Sequence, residues 1–182
     1  MTTRDDLIDL FGLDDEPFRA RVRPMLAGDD PAAERRRQAV DAGPSSFDGP
    51  NGMREFQTLD PRDRDLVWRL WLLDDAPFGL TLSGPAYQDN PVLYATRTFR
   101  EMSGYSLDDL RGENLRLMQG PETAPAAVDT LREALDTWTR VTVELRNYRR
   151  DGTAFTNRLT LVPLADESST VANWLGVQAA VD

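Results

Sequence analysis

The chain contains no cysteine, no histidine and no lysine. Without cysteine there is neither a disulfide framework nor a thiol nucleophile. Without cysteine or histidine an ordinary zinc site cannot be assembled, and haem cannot be held by imidazole or thiolate. A Ser-His-Asp or Cys-His catalytic apparatus cannot be built either. All 21 basic residues are arginine, set against 31 acids, for a net charge of −10. That balance argues against non-specific nucleic-acid binding, which needs a basic face, and against an anionic membrane surface. The charge is evenly spread: residues 1–74 and residues 75–182 each carry a net −5, so no basic tail hides in the average. No apolar run reaches the ~18 residues that suggest a bilayer-spanning helix. The acidic start MTTRDDLIDLF has no signal-peptide pattern. The expectation is a soluble, cytoplasmic protein. An acidic, arginine-only composition also suggests a salt-adapted host, a halophilic archaeon for example.

At 182 residues the chain has room for one domain with an extension. Residues 1–42 read as polar helices. Thr3 can cap a first helix carrying Leu7, Ile8, Leu10 and Phe11, Pro17 suits the first turn of a second stretch that runs through Leu26, and Asp30-Pro31 opens a third. Their apolar faces are thin and need a partner surface. Residues 43–52, GPSSFDGPNG, have loop or linker composition. Residues 60–73, DPRDRDLVWRLWLL, then give a helix with a broad apolar face that includes Trp68 and Trp71. A helix that docks or dimerises and a plain core helix bury the same face. The organisation expected is a helical extension and linker over 1–59, a cap helix over 60–75 and a second segment over 76–182.

The second segment has a different texture. Strands are expected at 78–83, 92–95, 140–149, 154–163 and 173–180, with helical pieces at 96–102, 106–111 and 123–138. Ser106 followed by Asp109 is a capping pattern, and Asp151-Gly152 is a hairpin signal. The order β-β-α-α-α-β-β-β predicts an α+β fold, an antiparallel sheet with helices on one face.

Four strings in this segment, DNPVLYATRTFREMSGYS (89–106), GENLRLMQGPET (112–123), VTVELRNYRRDG (141–152), and FTNRLTLVP with LGVQ (155–163, 175–178), together resemble the light-oxygen-voltage subclass of PAS domains. The resemblance covers about residues 76–181. It implies a PAS fold with a five-stranded antiparallel sheet, and a flavin held between sheet and short helices. Arg116 and Arg132 match arginines that hold the phosphate, where a planar guanidinium pairs in bidentate fashion. Two arginines and no further adenine site favour FMN over FAD. Asn114 and Gln119 match residues that bond the ring and ribityl chain, and Asn90 and Leu115 join the cofactor-binding set. Asn147 and Asn157 match two amides that read the pyrimidine edge with one donor and one acceptor each. Gln178 matches the glutamine facing flavin N5 and O4. Thr81, Leu145, Leu159 and Leu161 line the ring. Singly, each asparagine reads as a turn or edge residue and each arginine as a solvated charge; it is their joint spacing that favours flavin.

One departure decides the chemistry. In the family the position of Leu115 carries the cysteine that adds to flavin C4a after blue-light excitation. Here no cysteine exists, so the adduct photocycle is chemically impossible. One-electron chemistry remains: an electron from Tyr94, Tyr105, Trp138, Tyr148 or Trp174, followed by a proton at N5, giving a neutral semiquinone. Gln178 is then expected to turn its amide and re-pair the last strand, with the helix over 60–73 carrying the signal. The implied activity is blue-light sensing, and no enzyme activity is expected. A flavin-based redox sensor and a light-insensitive PAS interaction module are the competing readings. The chain stops soon after the last expected strand and shows no output motif, so either self-association or a longer sensor is expected. Beyond flavin, the expected partner is a second copy, joined through the helix bearing Trp68 and Trp71.

Overall fold

The computed structural model describes residues 1–181. The chain divides into two compact units, Met1–Asp74 and the segment that starts at Asp75. Residues 60–74 fall in the first of these units with the N-terminal helices.

The first unit is built by side-chain caps. In α1 (Arg4–Leu10) the Thr3 hydroxyl accepts from the Asp6 amide at 3.1 Å, while the Asp6 carboxylate accepts from the Thr3 amide at 2.8 Å. Each satisfies a backbone donor that the first turn would otherwise leave unpaired. Helix α2 (Asp15–Val22) begins two residues before Pro17 and is followed by a 3-10 turn over Arg23–Met25. The helical reading to Leu26 is corrected by Pro24, whose ring and missing N–H break an α-helical ladder. Helices α3 (Pro31–Ala42) and α4 (Pro61–Leu72) share one device: proline at the first position and an aspartate cap, Asp30 accepting from Ala32 and Ala33, Asp60 from Asp63.

The loop over 43–52 is anchored rather than loose. The Phe47 ring lies 5.2 Å from that of Phe56 and 4.6 Å from that of Trp71. Trp68 is fully buried, with the Phe18 ring 5.6 Å away. Both indoles therefore have ring partners inside their own unit, and Trp71 is only half-buried. Arg69, also buried, spends its guanidinium on the carbonyls of Leu10 and Leu13, on Asp65 and on the Phe18 ring. Burial pushes the Asp65 carboxyl above its usual range, and Arg69 only partly offsets it.

The second unit has the expected α+β architecture. Strands β1 (Gly79–Ser83), β2 (Val92–Ala95), β3 (Val141–Tyr148), β4 (Ala154–Ala165) and β5 (Val171–Ala180) form one antiparallel sheet in the order β2-β1-β5-β4-β3. The β3–β4 hairpin closes where the sequence placed it, with Arg149 donating to the Thr153 carbonyl at 2.8 Å and Gly152 at φ 86°. Helices α5 (Arg97–Ser103), α6 (Leu107–Leu110) and α7 (Pro125–Thr137) accompany the sheet. The Ser106–Asp109 capping box is present at the start of α6. A further 3-10 turn, Leu115–Met118, was not read from the sequence; the Asn114 side chain caps it by accepting from the Arg116 amide at 2.8 Å. Val92, Ala95, Phe99, Leu110, Met118 and Phe155 pack into one apolar cluster that ties β2, α5, α6, this turn and β4 together. That cluster fixes the turn beside the sheet and so fixes one wall of the site.

Candidate functional site

Antiparallel register decides which side chains meet. Leu145 lies opposite Asn157 and Leu159 opposite Gln178, so these residues share one face of the sheet. Thr81 lies opposite Gly176 on the neighbouring pair and joins the same face. Over it stands a cavity of about 430 Å³, within the range usual for small-molecule sites. Its floor carries Thr81, Leu145, Asn147, Asn157, Leu159, Leu161 and Gln178. One wall is the turn with Asn114, Leu115, Arg116 and Gln119, and Asn90 stands close by. The other wall is α7, with Val128, Leu131, Arg132 and Leu135. Every residue that the sequence nominated for the site lines this one cavity.

The floor holds a chain of amides across four neighbouring strands. The Asn147 amide nitrogen on β3 donates to the Met118 carbonyl at 3.3 Å. The Asn157 amide nitrogen on β4 donates to Asn147 Oδ1 at 3.0 Å and to Gln178 Oε1 at 2.8 Å. The Gln178 amide nitrogen on β5 donates to Thr81 Oγ1 on β1 at 3.1 Å. All four side chains belong to residues that are at most 5 % exposed. One atom breaks the pattern: Asn157 Oδ1 is buried and has no partner. A buried unpaired acceptor costs about 1–3 kcal/mol, which points to a ligand N–H at this place.

Gly176 adds a second sign. Its backbone is not left-handed, so conformation does not demand glycine. A Cβ there would stand 2.5 Å from Thr81 Oγ1 and 3.1 Å from Gln178 Nε2. The missing side chain keeps the floor flat between these two residues. A planar, polyfunctional ring with an N–H on one edge and a phosphate tail suits such a place: amides and an unpaired acceptor at depth, leucines along the sides, arginines at the mouth.

The mouth is not purely cationic. Asp89 grips the Arg116 guanidinium with both carboxylate oxygens, one at 2.6 Å. Hydrogen bonding from Arg116 holds the Asp89 carboxyl below its usual range, and Asp89 in turn raises Arg116. Arg132 pairs with Asp129 at 3.1 Å. Asn90 donates to the Gly84 carbonyl at 3.1 Å and Asn114 to that of Asp89 at 2.8 Å, so both of these amides hold the loop.

Leu115 occupies a cavity-lining place, and the chain has no thiol to put there. Sequence reasoning did not include Asp89, Trp174 or Gly176 in the site. Trp174 appeared only among the aromatic electron donors; of those five, it alone lines the cavity among the described residues. Trp138 is 65 % exposed, and Tyr148 bonds its hydroxyl to the Glu122 amide. No group of three or more metal-ligating side chains occurs among the described residues, and no helix among them is long and apolar enough to cross a membrane.

A PAS-domain family profile matches residues 79–178. The chain is 38 % identical over 115 residues to the bacterioopsin transcriptional activator of Halobacterium salinarum, covering 60 % of this chain and 16 % of that one. It is 37 % identical over 102 residues to blue-light-activated histidine kinase 2 of Erythrobacter litoralis, covering 56 % of this chain and 30 % of that one. Among solved structures it is similar to a light-oxygen-voltage domain studied with a flavin analogue, at 42 % identity and a TM-score of 0.58, covering 60 % of this chain and 82 % of that one. The chain thus spans less than a third of the length of these two curated relatives. With the sheet order, the amide floor and these likenesses together, the chain belongs to the PAS domain family and is of its light-oxygen-voltage type, without the cysteine.

Proposed function

We propose that this chain is a blue-light sensory flavoprotein module that works by light-driven one-electron reduction of its cofactor rather than through a cysteinyl adduct. The observation that carries the reading is the amide chain from Asn147 to Thr81, with its unpaired Asn157 oxygen, in a cavity that holds no thiol. When bound, a flavin supplies an excited state that accepts an electron and a proton at N5. The kinase and transcriptional activities in the relatives' names concern much longer proteins.

Each residue has a task in this reading. Asn147 and Asn157 hold the pyrimidine edge, where an amide serves one donor and one acceptor. Arg116 and Arg132 hold a single phosphate, which favours FMN over FAD. Leu145, Leu159, Leu161 and the leucines of α7 exclude water from the ring. Trp174 is the electron donor, as the aromatic donor that lines the cavity. Gln178 can present either its oxygen or its nitrogen to N5, because the two ends of its amide differ in hydrogen-bonding character. Exchanging them takes the acceptor away from Asn157 and reverses the bond to Thr81, whose hydroxyl must then donate, so one proton is felt on β4 and on β1. Strand β1 is the first strand after residue 74 in the chain, so the change nearest in sequence to the N-terminal helices arises there.

Gln178→Leu tests the relay. The variant keeps the side chain's bulk and removes both bonds. Hydrogen exchange of β1, β4 and β5, compared before and after blue light, is expected to change in the native chain and not in the variant, with flavin bound in both. An equal light response in Gln178→Leu contradicts the relay. A response to chemical reductant in the dark but none to light favours a flavin redox sensor instead.

A further inference from the structure

We propose that Asp89 is an internal stand-in for the cofactor's phosphate, so that the cavity accepts the phosphate-free flavin, riboflavin, nearly as well as FMN. This rests on the flavin reading of the cavity and goes beyond it to ligand selectivity. The Asp89 carboxylate meets Arg116 through both oxygens, the fork geometry by which a guanidinium also meets a phosphate. The pair is prearranged. Asn114 donates to the Asp89 carbonyl at 2.8 Å and accepts from the Arg116 amide at 2.8 Å, tying the two backbones to one side chain. Asp89 and Asn90 both sit at left-handed φ, 66° and 46°, which is unusual for two successive non-glycine residues. The Asp89 amide donates to the Ala86 carbonyl at 2.9 Å, which closes the turn that aims the carboxylate at the mouth.

The consequence follows from exposure and charge. The two side chains are 59 % and 62 % exposed, so a phosphate can reach Arg116 and an exchange of partners is cheap. Arg132 has its own carboxylate, Asp129, and Asp136 also lines the cavity. A phosphate dianion entering this mouth displaces one carboxylate and lies near others, so it gains less than two free arginines would give. A ligand without phosphate leaves Arg116 paired as it is.

Binding of FMN and of riboflavin to the flavin-free full chain is measured by titration, for the native sequence and for Asp89→Asn. Asparagine tolerates the left-handed backbone, so the turn is kept. The preference for FMN over riboflavin is expected to rise about three- to fivefold in the variant, the scale of one exposed bidentate pair, chiefly through tighter FMN binding. Arg116→Gln is expected to weaken FMN alone, and adding Asp89→Asn to it to leave the preference where Arg116→Gln set it. An unchanged or smaller preference in Asp89→Asn overturns the inference while flavin binding itself stands. If neither flavin binds the native chain, the cavity reading fails and this inference fails with it.

Discussion

Gly176→Ala probes the flat floor most sharply. The added methyl would stand 2.5 Å from Thr81 Oγ1, 3.1 Å from Gln178 Nε2 and 3.4 Å from Leu159 Cδ1. The first distance is closer than packed atoms allow, so Thr81 must move. Thr81 Oγ1 is also the acceptor that orients Gln178, so moving it breaks a buried hydrogen bond. Overpacking of this kind costs about 1–3 kcal/mol. Taking about 2 kcal/mol, the thermal midpoint of a chain of this length falls by about 4–8 °C. Circular dichroism on heating reads that shift, and retention of flavin through gel filtration reads the site. The companion Thr81→Ala removes the clashing oxygen, so the double variant should regain part of the midpoint that Gly176→Ala loses. A Gly176→Ala midpoint within about 1 °C of native, with flavin retained, would refute the reasoning, because an effect of even half the expected size exceeds that.

Asn157→Leu leaves Asn147 Oδ1 and Gln178 Oε1 without the donor they share; chemical denaturation should show a loss of about 2–3 kcal/mol, with flavin lost from the purified protein. Trp174→Phe keeps an aromatic ring at the cavity but removes the easily oxidised indole; light-driven bleaching of bound flavin should slow several-fold while flavin stays bound, read by absorption under constant illumination. Asp6, Asp30, Glu34, Asp89, Asp109 and Asp151 are all held below their ordinary range, chiefly by hydrogen bonds. A depressed folded-state pKa favours the folded chain above the unfolded value, so their contribution is present above about pH 4 and is lost as pH falls through the folded values. Ser106→Ala should cost about 1 kcal/mol at neutral pH and less once Asp109 is protonated, measured by denaturation at several pH values.

The sheet was legible because its strands carry their own signals. β3 alternates side by side, β4 carries Thr156, Thr160 and Val162 among its leucines, and Asp-Gly marks the hairpin between β3 and β4. The Asp-Pro pairs and the Thr3 and Ser106 caps marked helix starts for the same reason: the capping group lies within three residues of its target. The 3-10 turn at 115–118 was missed because so short a piece shows no period. The site is a different matter. Thr81 and Gln178 lie 97 residues apart yet share a hydrogen bond, and no local pattern announces that. Their convergence was expected only because four strings together resemble a known family. What no string carries are pairings made in three dimensions: the Asp89 grip on Arg116, the unpaired oxygen of Asn157, the space kept by Gly176, and the engagement of Trp68 by Phe18 and of Trp71 by Phe47.

The central claim is that a thiol-free cavity binds a flavin and reduces it in light. The most direct test is the absorption spectrum of the purified chain before and after blue light, with and without an external reductant. A structured oxidised-flavin band should be present, bleach under light into the broad longer-wavelength absorption of a one-electron-reduced flavin, and return in air. A chain that carries no flavin and takes none up, or whose bound flavin is unchanged by light, contradicts it.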